Sequence, residues 1–386
     1  MLETEALREA DRLMTVCNAC RYCEGLCAVF PAMEMRRTFL ASDLHYLANL
    51  CHQCGACYSD CQYSPPHEFA VNVPATFAKV RRESYGRYAW PRAFAGVFDR
   101  NGLLVTSLAA AGVSVFVIGF VAAKDPAVLY GTHAGDFYKV MPHNVMAALF
   151  GAVAIYAILA LALSVRAFWR CINSSPTSLG AVSIAEATHD AARLRYLGGG
   201  GGGCTSESER PSTRRRIFHH LTFYGFLFCF AATCIATIYH YAFGWHAPYP
   251  LVSLPVILGT LGGIGLLCGP AGLFVLSQRR DPMLTDPSRT GMDTAFIIML
   301  FLTSLTGFGL MVFRDTGAMG VLLAVHLGVV LALFLSLPYG KFVHGFFRYA
   351  ALIRYAGERR TGKVRRLDRT LIYSRSLRAV CARQAA

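Results

Sequence analysis

Charge is what this 386-residue chain has least of. Asp, Glu, Lys and Arg make up 16% of it, while hydrophobic residues make up 54%. Soluble globular chains carry about 25% charged residues, so a soluble fold of this length is disfavoured at once. Acid is scarcer than base, 23 residues against 37, and the formal net charge is +14. Nucleotide signatures are missing as well. No G-x-G-x-x-G follows a predicted strand and no G-x-x-x-x-G-K-[ST] occurs, so the chain has no dinucleotide or P-loop fingerprint of its own. The opening residues, Met1-Leu-Glu-Thr-Glu-Ala-Leu-Arg-Glu-Ala-Asp11, are acidic and polar where a signal peptide would carry an apolar core. The residues that follow are therefore expected to stay in the reducing cytosol. There, closely spaced cysteines point to metal or redox centres rather than structural disulfides.

Present instead are six windows without any Asp, Glu, Lys or Arg, at roughly 103–123, 143–165, 221–243, 251–276, 294–313 and 319–337. About 20 apolar residues span a bilayer as a helix, so each window is a candidate transmembrane helix. Buried helices of a large soluble protein are the weaker reading, because six such runs would leave little polar surface. With the N-terminus inside, the inner segments 1–102, 166–220, 277–293 and 338–386 hold 11, 8, 3 and 12 Lys and Arg. The outer segments hold only Lys124, Lys139 and Arg314. That asymmetry follows the positive-inside rule and places both termini on the cytosolic side. It also accounts for the net charge without nucleic acid. The runs Arg214–Arg216 and Arg359–Arg366 read as orientation signals in contact with lipid headgroups.

Fourteen cysteines are present, and eight of them form two short motifs. Cys17, Cys20, Cys23 and Cys27 follow C-x2-C-x2-C-x3-C, and so do Cys51, Cys54, Cys57 and Cys61. This is the spacing of bacterial ferredoxins with two [4Fe–4S] clusters. Three cysteines wrap one cubane, and the fourth leads away to ligate the other. The expected sets are Cys17, Cys20, Cys23 with Cys61, and Cys51, Cys54, Cys57 with Cys27. Four-cysteine zinc sites show paired C-x2-C units with a longer spacer, which fits less well. The proline that follows the fourth ferredoxin cysteine is absent: Ala28 and Gln62 stand there, with Pro31 and Pro65 a little later. Between the motifs, Met35, Phe39, Leu40, Leu44 and Leu47 recur at helical spacing, so the domain is expected to be helical rather than the small β-rich ferredoxin.

Histidine inside a bilayer is expensive and is a functional candidate by default. His326 lies well within the sixth window, His143 and His240 at outer helix ends, and His219, His220 and His344 at inner ends. Facing histidines are how membrane cytochromes hold haem b. At about 100° per residue, His326 and His344 fall on one helix face. The expected inner pair is His219 or His220 with His344, and the outer pair is His240 with His326, His143 standing in. Terminal histidines also serve as interfacial anchors. The rise along the sixth helix between the two levels, about 27 Å, is long for a two-haem ladder, and one haem remains an alternative. In Leu337-Pro-Tyr-Gly-Lys-Phe-Val-His344, the groups Tyr339, Lys341 and His344 suit a quinone, although snorkelling accounts for Lys341. Gly198–Gly203 is read either as a flexible linker or as backbone that approaches another group closely, with Cys204 beside it as a bystander. Pro255, Pro270 and the glycines of 251–276 predict a kink or close helix packing.

The expected fold class is all-α. A helical ferredoxin-like domain with two [4Fe–4S] clusters over 1–100 precedes a six-helix transmembrane cytochrome-b-like bundle over 101–345, with the Gly-rich cytosolic loop 166–220 and a basic cytosolic tail over 346–386. The cysteine motifs, Ser64-Pro-Pro-His-Glu-Phe69, Leu194-Arg-Tyr-Leu-Gly-Gly-Gly-Gly-Gly-Gly-Cys204, His219-His-Leu-Thr-Phe-Tyr-Gly225, Ala247-Pro-Tyr249 and Leu337–Gly345 resemble the TcuB/CitB family of tricarballylate-utilisation proteins along nearly the whole chain. The resemblance implies a haem-bearing iron–sulfur protein of the bacterial cytoplasmic membrane. It implies that the protein reoxidises the reduced FAD of a soluble tricarballylate dehydrogenase, which makes cis-aconitate, and passes the electrons to the quinone pool. It also favours a role for the glycine loop beyond a linker. The chain would then be an oxidoreductase component rather than an enzyme by itself. A citrate-type flavin dehydrogenase is the alternative partner, and a membrane redox or zinc sensor is a more distant alternative. A cluster acting as a Lewis acid on substrate would need a missing cysteine ligand, and all eight are present.

Overall fold

The computed structural model describes residues 2–173, 180–286 and 290–361. The basic run beyond Thr361, with the rest of the expected tail, lies outside the described residues. Every regular element described is a helix, with a single antiparallel bridge joining Cys204 and Ser212. In chain order the helices are α1 (Glu5–Cys20), α2 (Val29–Glu34), α3 (Ala41–Leu50), α4 (Ala56–Ser59), α5 (Val73–Tyr88), α6 (Arg92–Lys124), α7 (Pro126–Tyr130), α8 (His143–Ile172), α9 (Ala181–Ala192), α10 (Arg214–Phe243), α11 (Leu254–Gln278), α12 (Thr290–Phe313) and α13 (Met319–Ser336). A last helix, α14, covers 343–361.

The chain gathers into two compact units. The first takes the described residues of Met1–Arg81, Val165–Gly203 and Gly345–Ala386, and the second takes Arg82–Ser164 and Cys204–His344. In the first unit, α1 starts where the Thr4 hydroxyl accepts from the Leu7 N–H at 3.2 Å, an N-cap of the usual kind. Its buried Leu7, Ala10, Leu13 and Met14 repeat at helical spacing and form one apolar stripe. That stripe packs with Phe30 and Met33 of α2 and with Leu44, Leu47 and Leu50 of α3. Burial of such a side chain contributes about 1.5–3 kcal/mol, so this small core suffices to fix the loops that leave it.

Among the described residues, five helices are long and apolar enough to cross a membrane: His143–Ile172, Arg214–Phe243, Leu254–Gln278, Gly291–Phe313 and Met319–Ser336, all in the second unit except for residues 165–172 of α8. The remaining expected window, 103–123, lies within the 33-residue helix α6, which contains the apolar stretch Leu104–Gly119 among the described residues. Lipid offers no hydrophobic drive between helices, so association there relies on close packing and hydrogen bonds. Helices α10 and α11 supply the packing. A Cβ at Gly265 would come within 2.8 Å of the Leu221 carbonyl oxygen, and one at Gly269 within 2.5 Å of the Thr222 hydroxyl. The glycines of 251–276 thus serve close helix packing, one of their two expected uses. Between α11 and α12, the Ser304 hydroxyl donates to the Gly263 carbonyl at 2.8 Å.

Candidate metal centres and membrane histidines

Both cysteine motifs sit where helices end. Cys17 and Cys20 lie in the last turns of α1. Arg21 stops that helix in a left-handed conformation, φ 58°, its N–H bonded to the Cys17 carbonyl at 2.8 Å, and turns the chain toward Cys23 and Cys27. The second motif leaves α3 at Cys51, turns at Gly55 (φ 88°), and carries Cys57 on α4. Two pockets result. One is bordered by Cys17, Cys20, Cys23 and Cys61, and the other by Cys27, Cys51 and Cys54. Cys57, Phe30 and Val73 border both. Each pocket therefore draws thiols from both motifs.

The environments differ. Cys20 is exposed and Cys17, Cys23 and Cys61 are half-buried, whereas Cys51 and Cys54 are buried. Burial first, then the sulfurs of Cys23, Cys61 and Cys20, push the Cys17 thiol up to about 12. Burial, then Cys61 and Cys20, does the same to Cys23. Cys27 and Cys57 keep some accessible surface, yet burial holds both thiols well above the ordinary thiol range. For Cys27 the neighbouring sulfurs are Cys54 and Cys51; for Cys57 they are Cys54, Cys51 and Cys27, with Cys23 last. A cation bound there would have to displace protons, because thiolate is the ligand form. Among the described residues, no three His, Cys, Asp or Glu side chains converge as a single metal ion requires.

Two guanidinium groups, of buried Arg81 and half-buried Arg348, hold the backbone that enters the second motif. Arg81 of α5 donates to the carbonyls of Ala48 at 3.0 Å and Cys51 at 3.1 Å, and to Gln53 Oε1 at 3.1 Å. Arg348 of α14 donates to the Cys51 carbonyl at 2.9 Å. Behind them Arg36 pairs with Asp43 at 2.7 Å and with Glu358 at 2.5 Å. Arg354 pairs with Glu358 at 2.7 Å and with Asp43 at 3.3 Å. The Tyr46 hydroxyl donates to Glu358 at 3.0 Å, and the Arg354 guanidinium lies 4.3 Å from its ring centroid. Sequence reasoning missed all of these. The sequence offers no local signal for them, because the partners lie far apart along the chain.

The structure brings some of the expected histidines together. The rings of His219, on α10, and His344, on α14, are 6.1 Å apart at their centroids. Their planes are 70° apart, an edge-to-face arrangement. His344 also donates from Nδ1 to the Lys341 carbonyl, which leaves the lone pair on Nε2, the arrangement that prepares imidazole for a metal. His220 stacks instead on Tyr224, centroids 5.7 Å apart. His326 lies in α13 against Thr306. That hydroxyl donates to the Leu302 carbonyl at 2.7 Å, so at 2.8 Å it accepts from His326 Nδ1 and again leaves the lone pair on Nε2.

The outer histidines arrange differently from the expected pair. His240 stacks face to face on His143, centroids 3.7 Å apart and planes 13° apart, and touches His246 through Nδ1 atoms 3.0 Å apart. No ring contact joins His240 to His326 among the described residues. Face stacking directs ring faces, not nitrogens, at one another, so this outer group does not fit an axial pair as it stands. His246, six residues beyond His240, was missed because it lies outside the apolar windows. Tyr339 hydrogen-bonds Tyr156 at 2.5 Å, and Lys341 pairs with Asp293 at 2.5 Å rather than merely snorkelling.

Two family models match the chain. Residues 10–87 match the Fer4-like domain of citrate utilization protein B, and residues 99–365 match citrate utilization protein B. The chain belongs to the citrate utilization protein B family. The citrate utilization protein B of Escherichia coli is 53% identical over 361 residues, covering 93% of this chain and 94% of the relative. No solved structure matches the chain. The Fer4-like match falls on the segment that carries both cysteine motifs.

Proposed function

We propose that the chain is a membrane electron-transfer protein that reoxidises the reduced FAD of a soluble dehydrogenase acting on a tricarboxylic acid, and delivers the electrons to the quinone pool. Tricarballylate is the substrate that the resemblance implies. The name of the Escherichia coli relative favours citrate as the second reading. The observations that carry the proposal are the two cysteine-lined pockets and the five apolar helices, in a family with a Fer4-like domain. Cys17, Cys20, Cys23 and Cys61 would hold one [4Fe–4S] cluster, and Cys27, Cys51, Cys54 and Cys57 the other. Such clusters take up one electron at a time at a potential set by hydrogen bonding and solvent exposure. Two sites match the two electrons that a reduced flavin gives up along with two protons.

The protein's own residues do the rest. The exposed Cys20 edge offers a donor the nearer approach, while buried Cys51 and Cys54, with Arg81 and Arg348 on the surrounding carbonyls, keep the second site dry. His219 and His344, whose rings neighbour one another, would be the residues to hold one haem b, which would carry single electrons onward. His326 remains a candidate ligand through its Nε2, with the His143–His240 group needing rearrangement to join it. Quinone would meet the inner-face residues near Tyr339 and His344.

Anaerobic purification in detergent tests the reading. About eight iron atoms per chain and a b-type band in the reduced-minus-oxidised spectrum are expected, the band lost in His344→Ala. About two zinc and no iron would overturn the iron–sulfur reading and favour a sensor. Absence of any haem band would remove the transmembrane half. Reduction of the purified protein by the dehydrogenase with tricarballylate, compared with citrate, identifies the acid.

A further inference from the structure

The loop between α8 and α10 returns to the second cysteine pocket. Its six consecutive glycines, Gly198–Gly203, follow Tyr196, and the Tyr196 side chain borders the pocket of Cys27, Cys51 and Cys54. The Tyr196 hydroxyl donates to buried Asp190 at 3.0 Å, and Arg195 pairs with the other oxygen at 3.1 Å. The ring centroid of Tyr196 is 6.3 Å from that of His52, inside the second motif. The next residues cross both motifs. Gly199 is buried at φ +49°, and a Cβ there would stand 2.9 Å from Ala56 Cβ and 4.0 Å from Cys54 Sγ. Gly200, at φ +75°, would place a Cβ 3.1 Å from the Gly25 carbonyl and 3.3 Å from Leu26 Cα. The backbone thus lies across Gly25–Leu26, which lead into Cys27, and across Cys54–Ala56. The residues bordering the other pocket all come from 16–73, and none comes from this loop.

We propose that Tyr196–Gly200 is the solvent cover of the second cysteine site, and that Gly199 is a positioning residue that limits water and oxygen access to the cluster held there. The inference rests on the iron–sulfur reading above. Solvent exposure is among the determinants of cluster potential, and a shell that excludes water tunes a metal centre as surely as its ligands do. Water stabilises the more highly charged reduced state, so lifting the cover raises the potential of this cluster and leaves the other alone. No side chain larger than hydrogen fits at Gly199 without displacing either the loop or Ala56.

The test uses the full chain, purified anaerobically, with EPR-monitored redox titration and the rate of EPR signal loss in air followed for each cluster. Gly199→Ala is expected to raise the midpoint of the Cys27/Cys51/Cys54/Cys57 cluster and to speed its loss in air several-fold, with the other cluster unchanged. Gly202→Ala is the control, since φ is −69° there and the nearest atom to its Cβ is 3.9 Å away. Tyr196→Phe removes the hydroxyl hold on Asp190 without adding volume, and is expected to shift both readouts in the same direction by less. It carries the test if Gly199→Ala does not accumulate. Identical behaviour of Gly199→Ala, Tyr196→Phe and Gly202→Ala would overturn the cover. Absence of both signals in the unaltered protein would instead overturn the iron–sulfur reading, and the cover with it.

Discussion

The two cysteine pockets have the same motif and unlike surroundings. One is built at the C-terminal end of α1, its thiols half-buried or exposed, with Tyr22 beside it 72% exposed. At the other, Cys51 and Cys54 are buried, Arg81 and Arg348 donate to the Cys51 carbonyl, and the backbone of Gly199 passes close to Cys54. Spacing sets which metal centre forms. Surroundings set who can reach it. On the proposed electron-transfer reading, the pocket with exposed Cys20 would exchange electrons with a diffusing partner, and the one with buried Cys51 and Cys54 would pass them on.

The comparison breaks most visibly if its shared frame is removed. Glu358→Ala removes one of the two carboxylates that Arg36 and Arg354 share, leaving only Asp43, and deletion of one member of a buried ionic group costs about 3–5 kcal/mol. A large drop in the thermal midpoint of the detergent-solubilised protein is expected, with both cluster signals weakened. An unchanged midpoint would make the network incidental. Arg81→Met is expected to cost less, about 1.5–3 kcal/mol for hydrogen bonds from a charged donor, and to perturb only the enclosed pocket's EPR signal. If the exposed pocket's signal moved instead, the assignment of Arg81 to the Cys51 loop would be wrong.

Thr4→Ala sharpens the other side. Loss of an N-cap costs about 1 kcal/mol, and α1 carries Cys17 and Cys20, so iron should leave the exposed pocket first on mild chelation. Tyr22→Ala, a surface change, is expected to alter stability by no more than about 0.5 kcal/mol. It should still slow reduction by the flavoprotein, measured by stopped flow. Equal rates in Tyr22→Ala and the unaltered protein would move the docking point elsewhere.

Much of this was legible from sequence because the signals were local. The C-x2-C-x2-C-x3-C spacings, the charge-free windows and the basic asymmetry each lie within a short stretch. So does the helical spacing of Leu44 and Leu47, which α3 bears out. What stayed hidden was contact between distant residues. Arg36 and Glu358 are separated by 322 positions, and Arg348 and Cys51 by 297. A single chain shows neither partner to the other. Gly199 was ambiguous for a related reason: a flexible linker and a tightly packed backbone are written with the same residue. His143 and His240 were both noticed, but helical periodicity along one helix cannot say which histidine on another helix will face it.

The central claim is that each pocket takes ligands from both motifs. EPR of anaerobically purified Cys27→Ser, alongside Cys61→Ser, tests it most directly. The account predicts that Cys27→Ser disturbs the cluster of Cys51, Cys54 and Cys57 and spares that of Cys17, Cys20 and Cys23, and that Cys61→Ser does the reverse. If each substitution disturbed only the cluster of its own motif, the crossed assignment would be contradicted.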